Sequence, residues 1–299
     1  MLDVCLLGCG GMLPLPERYL TALTVRLNGH RLLIDCGEGT QVAMRRFGIG
    51  FKALDLILLT HLHTDHTAGL PGLLLTVGNA GHTEPLTVWG PPGTQELIEG
   101  VKKLAPEIRF PILVNEGTAP LLFQGAEIRP FSCLHRVPCR GYALTLPRAG
   151  AFRPDQARAL DVPMPLWHTL QRGEPVICHG RTVTPAEVLG APRKGLKLCY
   201  CTDTRPTGTI EEALAGADLA VLEGMYTDPE DQPNAEEKLH MMMHEAAGLA
   251  KNAGVNRLWL THYSPKVTDP ITLPAEVLSL FPGTELGFDG KSAELTFTE

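Results

Sequence analysis

Leu54-Asp55-Leu56-Ile57-Leu58-Leu59-Thr60-His61-Leu62-His63-Thr64-Asp65-His66 is the stretch whose reading decides the fold. The apolar run Leu54 to Leu59 reads as a buried β-strand, which places the following residues in the loop at its C-terminal end. Four potential metal ligands then fall within six positions. Imidazole nitrogen and carboxylate oxygen suit zinc, or manganese and iron where more oxygen ligands join. His61 and His63 alternate in an extended segment and can reach one ion, whereas Asp65 and His66 lie beyond the turn and can reach a second. A solvated polar loop is the competing reading. The chain has only 11 histidines, so three of them in six positions argue against it. The segment predicts metal-assisted hydrolysis.

A two-metal site also needs a bridging carboxylate and further imidazoles, and three later positions have the same strand-end setting. His135 follows Phe131-Ser132-Cys133-Leu134, Asp203 follows Leu196 to Cys201, and His262 follows Val255 to Thr261. Strand ends in α/β folds cluster at one edge of a sheet. Each residue alone has an ordinary structural explanation, as a buried histidine or a turn-capping aspartate. Together with the first cluster they extend it.

Ordered along the chain, these pieces resemble the metallo-β-lactamase superfamily and, within it, the ribonuclease Z family of tRNA 3′-processing endonucleases. The resemblance runs from Leu7-Gly8-Cys9-Gly10-Gly11 through Asp35-Cys36-Gly37-Glu38-Gly39-Thr40-Gln41. It continues in Ala68-Gly69-Leu70-Pro71-Gly72-Leu73-Leu74, Gly141-Tyr142 and Thr202-Asp203-Thr204-Arg205, and ends in Thr261-His262-Tyr263-Ser264. It implies an α/β fold, a four-layered αβ/βα sandwich of two similar halves with a dinuclear site in the cleft between the sheets. His61, His63 and His135 would hold one Zn2+, Asp65, His66 and His262 the other, with Asp203 bridging and Mn2+ or Fe2+ as substitutes. Asp35 would orient a ligand imidazole by accepting its other N–H. The expected nucleophile is a metal-bridging hydroxide, since zinc brings the pKa of water to about 7. Asp65 could also align it. Glu223 and His240 match the family's pair that protonates the leaving oxygen, with His244 as the rival to His240. A Met-rich, core-facing start of a helix is the plainer reading of 240–244.

Length and composition fit one hydrolase domain over 1–299. A chain of 299 residues, 44% hydrophobic, can bury a large core without disulfides. No terminal stretch reads as a signal peptide and no apolar run reaches membrane-spanning length, so a cytoplasmic protein is expected. Cys5, Cys36, Cys133, Cys199 and Cys201 lie in or beside strand-like runs, where free cysteine packs as a small apolar residue. Cys199 and Cys201 alternate with Asp203, which leaves a contribution to the metal site open.

The net charge of −7 gives no general affinity for nucleic acid, so local distribution matters. Arg136, Arg140, Arg148, Arg153 and Arg158, and then Arg193, Lys194 and Lys197, flank a Pro-rich, polar segment at 147–195 that does not read as sheet core. The resemblance implies a tRNA-gripping arm there; an ordinary surface excursion is the alternative. Arg18, Arg193 and Lys194 are candidate substrate contacts. Substrate-handling segments depart from the family pattern: Pro16 stands where a lysine is usual, Thr64 replaces a glycine, and Asp161 to Trp167 replaces the arm's Gly-Pro signature. Precursor tRNA is the expected substrate. A small phosphodiester in a narrower cleft is the alternative, and a non-catalytic binding module the third reading. The family implies a homodimer, for which Leu70, Leu73, Leu74 and Leu75 are apolar candidates.

Overall fold

The structure, a computed structural model, describes residues 1–268 and 271–297. Its strands are β1 (Leu2–Gly8), β2 (Ala22–Leu27), β3 (His30–Ile34), β4 (Leu54–Leu58), β5 (Leu86–Trp89), β6 (Ile112–Asn115), β7 (Leu121–Phe123) and β8 (Ala126–Ser132). There follow β9 (Arg140–Arg148), β10 (Val176–Cys178), β11 (Arg181–Val183), β12 (Arg193–Cys201), β13 (Leu219–Glu223), β14 (Leu258–Thr261), β15 (Thr284–Leu286) and β16 (Ser292–Leu295). Two seven-stranded sheets result, ordered β16-β1-β2-β3-β4-β5-β6 and β15-β14-β13-β12-β9-β8-β7. Strand β16 returns from the second half of the chain to pair antiparallel with β1 in the first sheet.

Within each sheet a parallel block sets the position of the site. Strands β3 to β6 run parallel in the first sheet and β12 to β15 in the second. Parallel strands deliver their C-terminal ends to one edge. Asp35, His61, Asp203, Glu223 and His262 all sit at or just past such ends.

The apolar run Leu54 to Leu59 is covered on both faces, which is why it shows no polar alternation. Leu56 and Leu58 point into the layer between the sheets, with Leu32, Ile34, Trp89, Tyr142, Leu144 and Tyr200. Ile57 and Leu59 point to the helices Leu70–Asn79 and Thr94–Leu104. Leu70, Leu73 and Leu74 are fully buried in this layer, so they are core residues and offer nothing to a partner chain.

The segment at 147–195, expected as a substrate-binding arm or a surface excursion, is a small lobe. It contains helices Pro154–Ala159 and Met164–Gln171, the β10–β11 hairpin and helix Pro185–Val188. Ala157, Val162, Leu170, Val176, Val183 and Val188 form its own core, with Phe152 and Trp167 packed against it. Short helices and three-residue strands leave too little period for a sequence pattern to register. The lobe leaves β9 at Arg148 and rejoins β12 at Arg193, which are paired. Asp203 lies beyond the other end of the nine-residue β12, so the lobe's root is roughly 25 Å of strand away from the site.

Tyr142 of β9 crosses between the sheets. Its hydroxyl is 2.7 Å from the Leu59 carbonyl and 3.1 Å from that of Trp89, tying the second sheet to the ends of β4 and β5. Tyr142→Phe leaves a buried carbonyl without its side-chain donor and is expected to destabilise the apoprotein by about 1–2 kcal/mol. Urea unfolding with an unchanged m value is the check; a midpoint equal to wild type would remove the cross-sheet tie from the account.

Candidate metal centre

Strand ends alone do not aim side chains into the cleft; the turns after them do. Asp35 (φ 59°), Asp203 (φ 56°) and His262 (φ 57°) all adopt left-handed backbone within two residues of the ends of β3, β12 and β14. That conformation is uncommon outside glycine and costs about 1–3 kcal/mol, so it persists where surrounding structure fixes it. It also breaks the period-two rule. Cys201 therefore does not share the face of Asp203: its Sγ lies 3.8 Å from Cys133 Sγ, and Cys199 Sγ donates to the Ala213 carbonyl at 3.3 Å. Neither cysteine belongs to the ligand groups found among the described residues.

Those groups are His61, His63, His135 and Asp203; Asp65, His66 and His262; and Asp203 with His240 and His262. In each, the donor atoms lie within 4.8 Å of one another. Asp203 faces both ways. Its Oδ1 is 3.9 Å from His61 Nε2 and from His135 Nε2, and its Oδ2 is 3.1 Å from His66 Nε2 and from His262 Nε2. Asp65 Oδ2 lies 3.5 Å from His262 Nε2 and 3.7 Å from His66 Nε2. Donors bound to a tetrahedral ion at ~2.0–2.2 Å are spaced by about 3.3–3.5 Å, so these separations fit cations. Among the described residues the buried His135 Nε2 has no hydrogen-bond partner, as a ligand atom aimed at an ion would.

Electrostatics point the same way. Burial pushes the His61 imidazole well below its ordinary pKa and brings His135 down to about 4, which keeps both neutral, the form that ligates. Burial opposes ionisation of Asp203, but the neighbouring imidazoles of His262, His66 and His61 outweigh it and hold the carboxyl well below its usual range. For His66, burial is outweighed by Asp35 and Asp203, which favour the protonated ring. The nest thus demands positive charge, which a divalent cation supplies while displacing that proton.

The remaining expected residues fall into three places. Asp35 is fully buried; its Oδ2 lies 2.8 Å from His66 Nδ1, and its Oδ1 accepts the Thr60 N–H at 2.8 Å. Glu223 accepts the Thr204 N–H through Oε1 at 2.6 Å, and its Oε2 is 2.9 Å from His240 Nδ1. The His240 ring stands 5.4 Å from that of His135 and 5.8 Å from that of His262, at the rim of the centre, whereas His244 is exposed on its helix. Met241, Met242 and Met243 are buried, so the core reading of that stretch holds for the methionines.

The suggested substrate contacts lie elsewhere. Arg18 is buried, donating to the Val267 carbonyl at 3.0 Å over the Tyr263 ring. Arg193 donates to the Ala149 carbonyl and Lys194 pairs with Asp218, both at the lobe's root. Gly11 and Met12 are site residues that the ligand pattern missed. A Cβ on Gly11 would come within 2.6 Å of the His262 ring, and the Met12 N–H donates to Asp65 Oδ2 at 2.7 Å. The glycine pair in Cys9-Gly10-Gly11 was the available signal.

Fold and site together define a member of the β-lactamase superfamily, and residues 30–263 match the model of the Beta-lactamase superfamily domain. The chain is 48% identical to Ribonuclease Z of Agathobacter rectalis over 100% of both chains. It is 49% identical to Ribonuclease Z of Lachnoclostridium phytofermentans over 99% of each. Human tRNase Z, short form, shares the fold with a TM-score of 0.71 at 24% identity, over 99% of this chain and 100% of that one. A diphosphatase of the PhnP family also shares it, with a TM-score of 0.65 at 17% identity over 99% and 98%. The chain belongs to the ribonuclease Z family.

Asp35→Asn replaces the acceptor facing His66 Nδ1 and is expected to weaken metal binding about 10- to 100-fold. Competition with a chromogenic chelator reads this; unchanged affinity would mean that Asp35 serves the fold alone.

Proposed function

We propose that this chain is a divalent-metal-dependent endonuclease that removes the 3′ trailer from precursor tRNA, working with two Zn2+ and accepting Mn2+ or Fe2+. The observation that carries this reading is full-length identity of 48% and 49% to proteins named Ribonuclease Z, combined with seven ligand side chains gathered in one buried cleft. Fold alone does not select the substrate, since the PhnP-family diphosphatase shares it.

His61, His63 and His135 would hold one ion and Asp65, His66 and His262 the other, with Asp203 between them. Bound there, the metals supply an activated water and neutralise charge developing on the phosphate. The protein's own groups do the rest. Asp35 fixes the tautomer of His66 by occupying its Nδ1. Asp65 offers a carboxylate at the cleft mouth, oriented by the Met12 amide. Glu223 holds the His240 ring through Nδ1 and leaves Nε2 to donate a proton to the departing oxygen. Burial disfavours a charged His240, but the Glu223 carboxylate outweighs it and raises the pKa above its ordinary value, as a general acid requires.

Because the lobe roots at the end of β9 and β12 opposite the metals, it suits a grip on RNA held at another subunit's cleft, in a homodimer. An apolar groove of about 780 Å³ is lined by Leu62, Pro71, Leu97, Val101 and Leu104. Leu104 is 76% exposed there. Eight free cysteines suit a reducing compartment such as the cytoplasm.

Metal-loaded enzyme is expected to cut a precursor tRNA once, at the 3′ trailer junction, and His63→Ala to abolish the cut. Intact RNA from enzyme that still hydrolyses an activated phosphodiester would transfer the activity to a small diester. His240→Ala is expected to lower kcat on a poor leaving group by about 100-fold or more while leaving metal content unchanged. Because its pKa is raised, the donor form is present at low pH and lost as pH rises through that value. The wild-type rate should therefore fall on the alkaline side, and this limb should vanish in the variant; a limb that survives would remove His240 from proton donation.

A further inference from the structure

The turn after β15 is anchored to both sheets: Gly287 N–H donates to the Leu260 carbonyl at 2.8 Å and Gly290 N–H to that of Leu6 at 2.7 Å. Between them stands Asp289, a largely buried carboxylate outside the ligand set. Its Oδ1 accepts the Cys9 N–H at 3.0 Å and its Oδ2 the Tyr19 N–H at 2.6 Å. One side chain thus clasps both ends of the loop from Cys9 to Tyr19.

That loop leads directly to half of the metal centre. It is laced to the strand-end segment of His262, with Tyr263 N–H on the Cys9 carbonyl at 2.9 Å and Gly11 N–H on the Tyr263 carbonyl at 3.0 Å. Gly11 packs so closely against the His262 ring that a Cβ would come within 2.6 Å of it. At the tip, Met12 is exposed and held at φ 68°, and its N–H bonds Asp65 Oδ2. The same oxygen faces His66 and His262. A bond from the loop backbone therefore fixes the atom through which Asp65 would meet an ion, in a conformation that a side chain rarely adopts unaided.

We propose that Asp289 is a positioning residue for the Asp65–His66–His262 half of the metal centre, acting through the 9–19 loop. Its replacement leaves one backbone N–H (asparagine) or two (alanine) without an acceptor, lets the tip relax from its left-handed conformation and frees Asp65 to swing from the position where it would meet an ion. Among the described residues His61, His63 and His135 make their hydrogen bonds elsewhere than to this loop, so that half keeps its geometry. The effect is on metal binding, so it is separable from the choice of RNA or small diester as substrate.

The test is stepwise titration of full-length apoprotein with Co2+ and with Zn2+ against a competing chelator, in wild type and in Asp289→Asn and Asp289→Ala. One equivalent is expected to bind about tenfold more weakly, the low end for an indirect ligand contact, while the other is unchanged. The visible Co2+ spectrum of the weakened equivalent should shift. Asp289→Asn retains an acceptor and nearly the same volume, and carries the test if the alanine variant does not fold. Two equivalents bound as in wild type would overturn the proposal. So would equal weakening of both in step with a lower melting temperature of the apoprotein, which would mark Asp289 as a general structural tie.

Discussion

The buried carboxylate of Asp203 is the constraint on which the rest of this structure depends. It stands in the protein interior, and the imidazoles of His61, His66, His135, His240 and His262 gather around it and favour its ionised form. An isolated buried charge of this kind costs several kcal/mol, so the surroundings must answer it. The answer is built in concentric layers. Imidazoles face each of its oxygens, Asp35 and Thr60 hold the backs of those rings, and Tyr142 and Tyr200 close the space between the sheets behind them. A divalent cation on each side completes the balance better than a shared proton, because it satisfies several donor atoms at once.

Two sheets with parallel blocks provide the frame for this arrangement. Each sheet contributes strand ends, and the first ligand group draws on both: His61 and His63 come from beyond β4, His135 from the β8–β9 connection and Asp203 from beyond β12. The second group is shared in the same way, with Asp65 and His66 from the first half and His262 from the second. The cleft is therefore a property of the two halves packed together. The return of β16 to the first sheet locks that packing, and the turn before it carries the carboxylate that holds the loop beside Asp65. Catalytic geometry and chain closure are in this sense one structural problem.

The candidate metal centre and the small lobe sit at opposite ends of the second sheet. The ligand cluster lies past the C-terminal end of β12, whereas the lobe with its own core grows from the other end. A variable lobe can change there without disturbing ligands roughly 25 Å away along the strand.

Much of the centre was legible from sequence because its signals are local. A fully buried strand must be apolar on both faces, so Leu54 to Leu59 announces itself, and six residues then place four ligands after it. His135, Asp203 and His262 were legible because each follows a similar run, and Asp35 and the Glu223–His240 pair through the family resemblance. What sequence could not give were relations between residues far apart in the chain that no period encodes. Left-handed turns at Asp35, Asp203 and His262 cancel the alternation rule that would have put Cys201 beside the metals. Burial of Arg18, Leu70, Leu73 and Leu74 follows from which faces the sheets and helices cover. Asp289 reaches Cys9 and Tyr19 across some 270 to 280 residues. The sequence by itself determined the candidate ligands and the strands that carry them, because hydrophobic burial and metal preference act on short stretches. Only the tertiary structure decided which of these side chains stand together and what holds them, because hydrogen bonds and buried charges are settled by distance in space.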